Sequence, residues 1–243
     1  MKIDVKGNLE SAYEEAPFDE AKKELESQGY RIISLEENAR LRMQEGKNAF
    51  ISQNGNYVKE GIIYLPSKEV YLTKLSPIIQ NAQEATECYR KGNELYSNKL
   101  QTEKALKNAV KFPKNSNYEI PTSEFGNDAI TDFAFGKIAK DYGNFLKEAG
   151  INAMPVWLAN CENKPFARQM WFRGLDGYYW SDLDSDDRLL YCNDWVRGVR
   201  EVREAHGQKD LPDIQRIIKY SKNYVPEAAR GEFEKGLRNL LEK

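Results

Sequence analysis

The stretch from Phe166 to Arg200 constrains the structure and the function of this chain more than any other. Its sequence is FARQMWFRGLDGYYWSDLDSDDRLLYCNDWVRGVR, and it contains no lysine although lysine is frequent elsewhere. Tyrosine and tryptophan provide a large contact area for little lost rotamer freedom, while serine, glycine and asparagine provide adaptable polar contacts. A plain core strand would alternate apolar and polar residues, and a metal or nucleophile site would need fixed ligands. The composition therefore predicts a binding surface.

Length and charge limit the remaining possibilities. A chain of 243 residues can bury one large core or two small ones. The formal charge of −2 provides no broad basic field, which argues against nucleic acid as a partner and against a polybasic membrane contact. A hydrophobic content of 40% indicates a folded globular protein rather than a disordered one.

Targeting signals are not evident in the sequence. It has no apolar run long enough to span a bilayer, and the first twenty residues lack the apolar region of a secretory signal. We therefore expect a cytoplasmic location, with display at a cell surface left open.

The cysteines and the histidine argue against metal binding and against a disulfide framework. Cys88, Cys161 and Cys192 are an odd number of scattered residues without CxxC spacing. We expect three reduced thiols. His206 is the only histidine, which limits histidine-based catalysis and metal ligation. We expect no cofactor and no metal.

Hydrophobic periodicity and turn residues predict grouped helices and strands. Ser34 and Glu37 have the spacing of a capping box and predict a helix start. Further predicted helices cover 18–28, 81–110 with a break near Ser97, 127–148, and two segments after residue 207. Predicted strands cover 30–33, the β-rich region 49–75 that begins with AFIS, 154–158, 166–172 and 195–202. Because strands and helices are grouped rather than alternating, the order favours an α+β fold.

The aspartates of the segment invite a calcium interpretation. An EF-hand loop that began at Asp182 would need glycine at its sixth position and glutamate at its twelfth. Asp187 and Asn193 occupy those positions, so the EF-hand pattern fails at both. A different carboxylate cage, a solvated acidic loop and a contact surface for a partner remain open, and we favour the contact surface.

Catalytic interpretations have less support. Asp176 and Asp187 would serve as an acid–base pair in a hydrolase, but the sequence does not set their separation. Cys161 or Cys192 would need a nearby base to act as a nucleophile, and the one histidine lies outside the segment. We therefore expect a protein that is not an enzyme.

The aromatic residues of this region divide into two expected groups. We expect Trp157 and Trp195 to be core residues, because both adjoin apolar strand runs. Tyr178 and Tyr179 follow Gly177 among polar residues, so we expect them to be exposed and available for recognition.

The end of the segment carries a resemblance to known families. Residues 195–200, WVRGVR, resemble the final strand of C-type-lectin-like and formylglycine-enzyme-like folds. The residues ahead of them resemble the variable region of a diversity-generating retroelement target protein. In that family, template Asn codons of the AAC type are copied with errors at adenines. The replacements include Tyr, Asp, Ser, Gly, Arg, Cys, Leu and Asn, whereas Lys and Glu cannot arise.

The resemblance divides the segment into exchangeable positions that face outward and fixed scaffold positions that hold the fold. The implied exchangeable, ligand-binding positions are Arg173, Gly174, Asp176, Gly177, Tyr178, Tyr179, Asp182, Asp184, Asp186, Asp187, Leu189, Tyr191, Cys192, Asn193 and Asp194. The implied scaffold positions are Trp171, Phe172, Leu175, Trp180, Ser181, Leu183, Ser185, Arg188, Leu190 and Trp195.

The resemblance implies an α+β, C-type-lectin-like fold with insertions and a C-terminal helical extension. The lectin-like domain would cover residues 1–205, with the variable region at about 166–200, and the extension would cover 206–243. The implied function is non-covalent binding of an unknown target, expected to be a protein, with archaeal or bacterial members as the nearest parallels. Two alternatives share this fold: a calcium-dependent sugar-binding lectin, and a formylglycine-generating type of enzyme, which would need an active-site pair from Cys161 and Cys192.

Overall fold

One sheet of twelve strands forms the centre of the fold in the part of the chain that the structure describes. The computed structural model describes residues 2–6, 9–175, 181–186, 189–201 and Phe233. The strands, in chain order, are β1 (Lys2–Lys6), β2 (Leu9–Ala16), β3 (Arg31–Ile32), β4 (Asn56–Tyr64), β5 (Val70–Thr73), β6 (Leu95–Tyr96), β7 (Ala109–Lys111), β8 (Tyr118–Pro121), β9 (Ala153–Trp157), β10 (Phe166–Phe172), β11 (Leu183–Asp184) and β12 (Asp194–Glu201).

Eight α-helices accompany these strands within the described residues. They are α1 (Phe18–Ser27), α2 (Leu35–Glu45), α3 (Phe50–Gln53), α4 (Pro77–Gln80), α5 (Ala82–Arg90), α6 (Lys99–Leu106), α7 (Ala129–Phe135) and α8 (Ala139–Glu148). The predicted capping box starts α2: Ser34 Oγ accepts from Glu37 N at 3.2 Å, and the Glu37 carboxylate accepts from Ser34 N at 3.0 Å. The α+β class predicted from the sequence is confirmed.

Strand order brings distant parts of the sequence together. The main path of the sheet is β1-β2-β12-β4-β10-β11-β9-β8. Strands β2 and β12 pair antiparallel over eight residue pairs, so residues 9–16 lie beside residues 194–201. Strand β12 runs parallel to β4, and β10 runs antiparallel to β4. These directions place the start of β12 beside the end of β10.

The sheet has two ends that matter for the site. We call the end with Asn56, Phe172 and Asp194 the upper end, because Asn56 pairs with Phe172 and both β4 and β12 begin there. We call the end with Tyr64 and Phe166 the lower end, where these two residues pair. At about 3.3 Å per residue, the strand β10 separates the two ends by about 20 Å.

Apolar side chains cover both faces of the sheet. Ile62 of β4 and Phe172 of β10 belong to the larger hydrophobic cluster, which also contains Tyr142 of α8. Ile63 and Trp171, their neighbours in sequence, belong to the second cluster. Successive strand residues point to opposite faces, so a strand buried on both faces has an almost continuous apolar sequence.

Three predictions of secondary structure were wrong in detail. The AFIS sequence forms the helix α3 instead of a strand. The predicted helix 81–110 is divided into α5, β6, α6 and β7. The predicted helix 127–148 breaks at Gly136, whose φ of 56° ends α7 before α8 begins. Apart from Phe233, the predicted extension 206–243 lies outside the described residues. Every helix in the described ranges is too short or too polar to traverse a bilayer.

Glu60 of β4 is a buried carboxyl beside the start of α2. Its side chain is 1% exposed, and its Oε2 accepts from Leu35 N at 2.9 Å. Burial raises its pKa from 4.5 to about 7, against the Leu35 hydrogen bond and the charges of Lys59 and Lys74. The folded protein therefore holds a proton on Glu60 at pH values where the unfolded chain has lost it.

We predict that Glu60→Gln removes a pH dependence of stability. The pKa of Glu60 is 4.5 in the unfolded chain and about 7 in the folded protein. Between these two values the folded state binds more protons than the unfolded state, so the stability of the wild-type protein falls as the pH rises. The variant does not titrate and keeps an acceptor for Leu35. Relative to wild type, its free energy of unfolding should gain up to about 3 kcal/mol between about pH 4.5 and pH 8. Urea denaturation at several pH values measures this difference, and parallel curves for the two proteins would contradict it.

Candidate binding surface

The segment that follows β10 lies against α3 at the upper end of the sheet. Leu175 N donates to the Ser52 carbonyl at 2.6 Å. A Cβ on Gly174 would lie 2.1 Å from the Gln53 carbonyl oxygen, which is closer than any side chain permits. Glycine at this position is therefore required by the close approach of two backbone segments.

Backbone hydrogen bonds join the described residues on either side of 176–180. Arg173 N donates to the Asp182 carbonyl at 3.0 Å, and Ser181 N donates to the Gly174 carbonyl at 3.0 Å. Both bonds involve main-chain atoms alone, so they do not depend on which side chains stand between the two sides.

Arg42 of α2 reinforces the same closure from inside the core. Its Nη1 donates to the Arg173 carbonyl at 2.8 Å and to Ser181 Oγ at 3.2 Å, and its Nη2 donates to the Phe172 carbonyl at 3.3 Å. The guanidinium also lies 4.0 Å from the Phe172 ring centroid. The Tyr142 hydroxyl accepts from Arg42 Nη1 at 3.2 Å and also hydrogen-bonds to Ser181 Oγ at 2.8 Å. One fully buried side chain thus contacts both sides of the closure.

Arg173 forms an inward-facing ionic cluster with two aspartates. Its Nε lies 3.1 Å from Asp182 Oδ1, and its Nη2 lies 2.5 Å from Asp184 Oδ2. The two aspartate side chains are 5% and 1% exposed. Trp157 Nε1 donates to Asp182 Oδ2 at 2.9 Å. The guanidinium lies where a cation bound by these two carboxylates would lie, which weakens the calcium-dependent lectin alternative.

Residues 185 and 186 are also held by side chains of the strands β10 and β4. Arg168 of β10 donates to the carbonyls of Ser185, at 2.9 Å, and Asp186, and it pairs with Glu94. Ser185 Oγ lies 2.6 Å from Tyr64 OH. On the far side of 187–188, Phe18 N donates to the Leu190 carbonyl at 2.8 Å. The described residues flanking 187–188 are thus bonded to the scaffold on both sides.

The scaffold part of the predicted division is supported by burial. Six of the ten scaffold positions are buried: Trp171, Phe172, Ser181, Leu183, Ser185 and Leu190. Leu175 and Trp195 are partly buried and pack against the hydrophobic clusters. Trp180 and Arg188 lie outside the described residues.

The outward-facing part of the division needs correction. Four exchangeable positions are exposed, and we call them the outward set: Asp186, Leu189, Cys192 and Asn193. Arg173, Tyr191 and Asp194 are partly buried. Gly174, Asp182 and Asp184 are buried, so the expectation that they face outward was wrong. Gly174 packs on α3, and the two aspartates pair with Arg173. Asp176, Gly177, Tyr178, Tyr179 and Asp187 lie outside the described residues.

Two aromatic residues near the segment, Phe50 and Trp157, are exposed, and the sequence predicted neither exposure. Phe50, 37% exposed, lies in α3, and its ring stacks on Tyr13 with centroids 4.6 Å apart and lies 5.0 Å from Trp195. We call Tyr13, Phe50 and Trp195 the aromatic patch. Trp157 is 39% exposed, so its assignment to the core was wrong. The apolar run at 154–158 predicts a strand, but it does not show which of its residues lies near an edge of the sheet.

The two cysteines of the enzyme alternative lie near opposite ends of the sheet. Cys192 precedes β12, which begins at the upper end, whereas Cys161 precedes β10, which begins at the lower end. Burial raises the pKa of the Cys161 thiol, which disfavours its nucleophilic thiolate. The strand directions therefore contradict chemistry that requires these two thiols as a pair.

Comparison with known proteins identifies the fold. No family profile matches the sequence, and no curated protein is significantly similar to it. One similar solved structure is described as "Accommodation of massive sequence variation in Nanoarchaeota by the C-type lectin fold". The TM-score is 0.58 at 14% sequence identity, and the alignment covers 82% of this chain and 100% of that chain. The chain therefore has a C-type lectin fold, as its sequence predicted.

We predict that Arg42→Gln is strongly destabilising. The substitution removes the hydrogen bonds that Arg42 donates to the carbonyls of Phe172 and Arg173, which should lower the free energy of unfolding by about 2–4 kcal/mol. The matched control is Arg40→Gln on the same helix, where an exposed pair with Glu36 is worth less than about 1 kcal/mol. Urea denaturation compares the two variants, and equal losses would contradict the role of Arg42.

We predict that Arg173, Asp182 and Asp184 cannot be exchanged independently. Arg173→Met removes a guanidinium that pairs with two buried carboxylates and should cost about 3–5 kcal/mol. The triple variant Arg173→Met, Asp182→Asn, Asp184→Asn removes all three charges and should be more stable than the single variant. Urea denaturation of both proteins provides the measurement. A triple variant less stable than Arg173→Met would show that the charges do not act as a unit.

Proposed function

We propose that this chain, which has a C-type lectin fold, is a ligand-binding protein whose target is a protein. Its binding face is formed by residues of the segment 166–200 and by the aromatic patch. The observation that carries the proposal is the closure around 176–180, which uses backbone bonds and Arg42 rather than the side chains between. A face held in this way tolerates changes in its outward side chains.

The chemistry of the exposed residues supports recognition of a protein surface. Phe50 and Trp157 provide aromatic area, and such residues dominate binding energy when they fill a pocket on a partner. Leu189 is 40% exposed and adds apolar contact. The exposed side chains of Asp186 and Asn193 provide hydrogen-bonding groups at the same segment. Mixed aromatic and polar surfaces of this kind resemble paratopes.

We further propose that adenine-directed mutagenesis by a retroelement diversifies this face. The burial pattern limits which positions vary freely. The outward set is suited to exchange by its exposure, and positions 176–179 and 187, which lie outside the described residues, are candidates on the codon pattern alone. Gly174, Asp182 and Asp184 are constrained by packing and charge. The codon of Gly174 is therefore expected to stay constant. The codons of Asp182 and Asp184 are expected to stay constant or to change together with the codon of Arg173.

A pair of display libraries tests whether the face supports binding. In the first library, positions 176–179 and 187 and the outward set carry codons derived from AAC by replacing adenines. In the control library, nine exposed positions on helices outside the segment carry the same codons. We predict that selection against purified lysozyme recovers binders of micromolar affinity or better from the first library alone. Equal recovery from both libraries would contradict the proposed face.

The retroelement part of the proposal has a separate test in the DNA that flanks the gene. We predict a reverse transcriptase gene with a nearby second copy of codons 166–200 that differs at adenines. Absence of both from the complete genome sequence would contradict retroelement-directed diversification and would leave the binding function to be judged by the libraries.

A further inference from the structure

Trp157 is an exposed aromatic side chain that the fold holds in one position. Its indole Nε1 donates to Asp182 Oδ2 at 2.9 Å. Its carbonyl oxygen accepts from both the backbone N and the Oγ of Ser185, each at 3.1 Å. The residue is nevertheless 39% exposed. A side chain that is already ordered loses little conformational entropy when a partner covers it, so Trp157 is suited to act as a binding anchor.

Exposed carboxylates lie on both sides of Trp157 in the sheet. On the β8 side, Glu119 pairs with Pro155 and is the diagonal neighbour of Trp157 on the same face, at about 7–8 Å. On the β11 side, Asp186 follows Ser185. Because Ser185 N lies 3.1 Å from the Trp157 carbonyl oxygen and consecutive Cα atoms are about 3.8 Å apart, the Asp186 Cα lies within about 8 Å of that oxygen. Glu119 and Asp186 are both exposed.

The charge of this part of the chain favours a cationic partner. Residues 173–194 contain six aspartates and two arginines, an excess of four negative charges, whereas the whole chain has a formal charge of −2. Arg173 is only 13% exposed and lies between Asp182 and Asp184, so its charge is directed inward. A surface of this sign attracts positively charged groups of a partner and disfavours negatively charged ones.

Tyr96 at the lower end shows how the chain itself fills a similar arrangement. Tyr96 is 44% exposed, its hydroxyl donates to Glu162 Oε2 at 2.7 Å, and Lys164 Nζ lies 5.4 Å from its ring centroid. The ring, the carboxylate and the cation thus come from one chain. None of the lysines and arginines in the described part of the chain lies over the Trp157 ring. Tryptophan has the aromatic ring that attracts cations most strongly.

We propose that Trp157, with Glu119 and Asp186 on its two sides, binds a lysine or arginine side chain of the protein target. The side chain lies on the indole ring, and its charge faces the two carboxylates. This inference rests on the proposed protein-binding function and names the chemistry of the partner. Trp157 and Glu119 precede the segment 166–200, so they stay constant while the segment varies. Every target of the face therefore presents a basic residue at this point.

Two capped peptides test the requirement for charge. N-trifluoroacetyl-Gly-Arg-Gly-amide carries a guanidinium, and the citrulline analogue has the same shape without the charge. Fluorine NMR of each peptide measures its binding to the folded full-length chain. We predict millimolar binding of the arginine peptide, at least fivefold tighter than that of the citrulline peptide, because an exposed cation–π contact and an exposed ion pair together contribute about this factor. Equal affinity for the two peptides, or binding of neither, would overturn the proposal.

Variants locate the contact on the molecule. Trp157→Leu removes the ring and should lower the preference for arginine to less than about twofold. Its matched control is Tyr96→Leu, which removes an exposed ring at the lower end and should leave the preference unchanged. The double variant Glu119→Gln, Asp186→Asn alters two exposed side chains without loss of core packing, and it should lower the preference by about twofold to threefold. Full preference in either the Trp157→Leu protein or the double variant would overturn the proposal.

Failure of this inference can be distinguished from failure of the proposed function. The display libraries leave Trp157 and Glu119 unchanged and measure binding through other positions. Binders from the first library, together with equal affinity for the two peptides, would overturn the inference and leave the proposed function standing. A preference for arginine that Trp157→Leu abolishes, without binders from either library, would support the cation site and contradict the protein-binding function.

Discussion

The buried guanidinium of Arg42 is the interaction on which the arrangement of the candidate face depends. Four groups accept hydrogen bonds from this guanidinium: the carbonyls of Phe172 and Arg173 and the hydroxyls of Ser181 and Tyr142. Its Nε–H has no acceptor among the described residues. The helix α2 therefore fixes the exit of β10 and the residue that follows 176–180 at the same point. The Phe172 ring covers the guanidinium and joins this polar contact to the hydrophobic core. The stability of α2 and the stability of the residues that flank 176–180 are therefore coupled.

Some of the fold followed from the sequence because its causes are local. The capping box of Ser34 and Glu37 needs two residues at a fixed spacing, and it forms as predicted. The strands β4 and β10 were recognised from the apolar stretches IIY at 62–64 and MWF at 170–172, whose alternate members pack on the two faces of the sheet. Other features depend on partners far away in sequence. Residues 50–53 have strand-like composition but form a helix that supports Gly174.

The burial of residues in the candidate site also depends on partners distant in sequence, so the sequence alone did not predict it. The codon pattern distinguishes residues that an Asn codon can produce from those that it cannot, and aspartate belongs to the first group whether it is exposed or paired. Asp182 and Asp184 became buried because Arg173, eleven residues before Asp184, turns its guanidinium between them. Trp157 ends β9, one strand from the edge of the sheet, and is partly exposed although its indole donates to the buried Asp182. Spacing in the sequence contains no information about these distances.

The central claim is that the fold and the binding face use different side chains of one segment. The most direct measurement replaces the outward set, Asp186, Leu189, Cys192 and Asn193, by serine in one protein and follows urea denaturation. The account predicts that the four exposed substitutions together lower the free energy of unfolding by less than about 2 kcal/mol. Leu190→Ser, a single change at a residue that is 1% exposed, should cost about 3 kcal/mol or more. A fourfold variant that loses as much stability as Leu190→Ser would contradict the account.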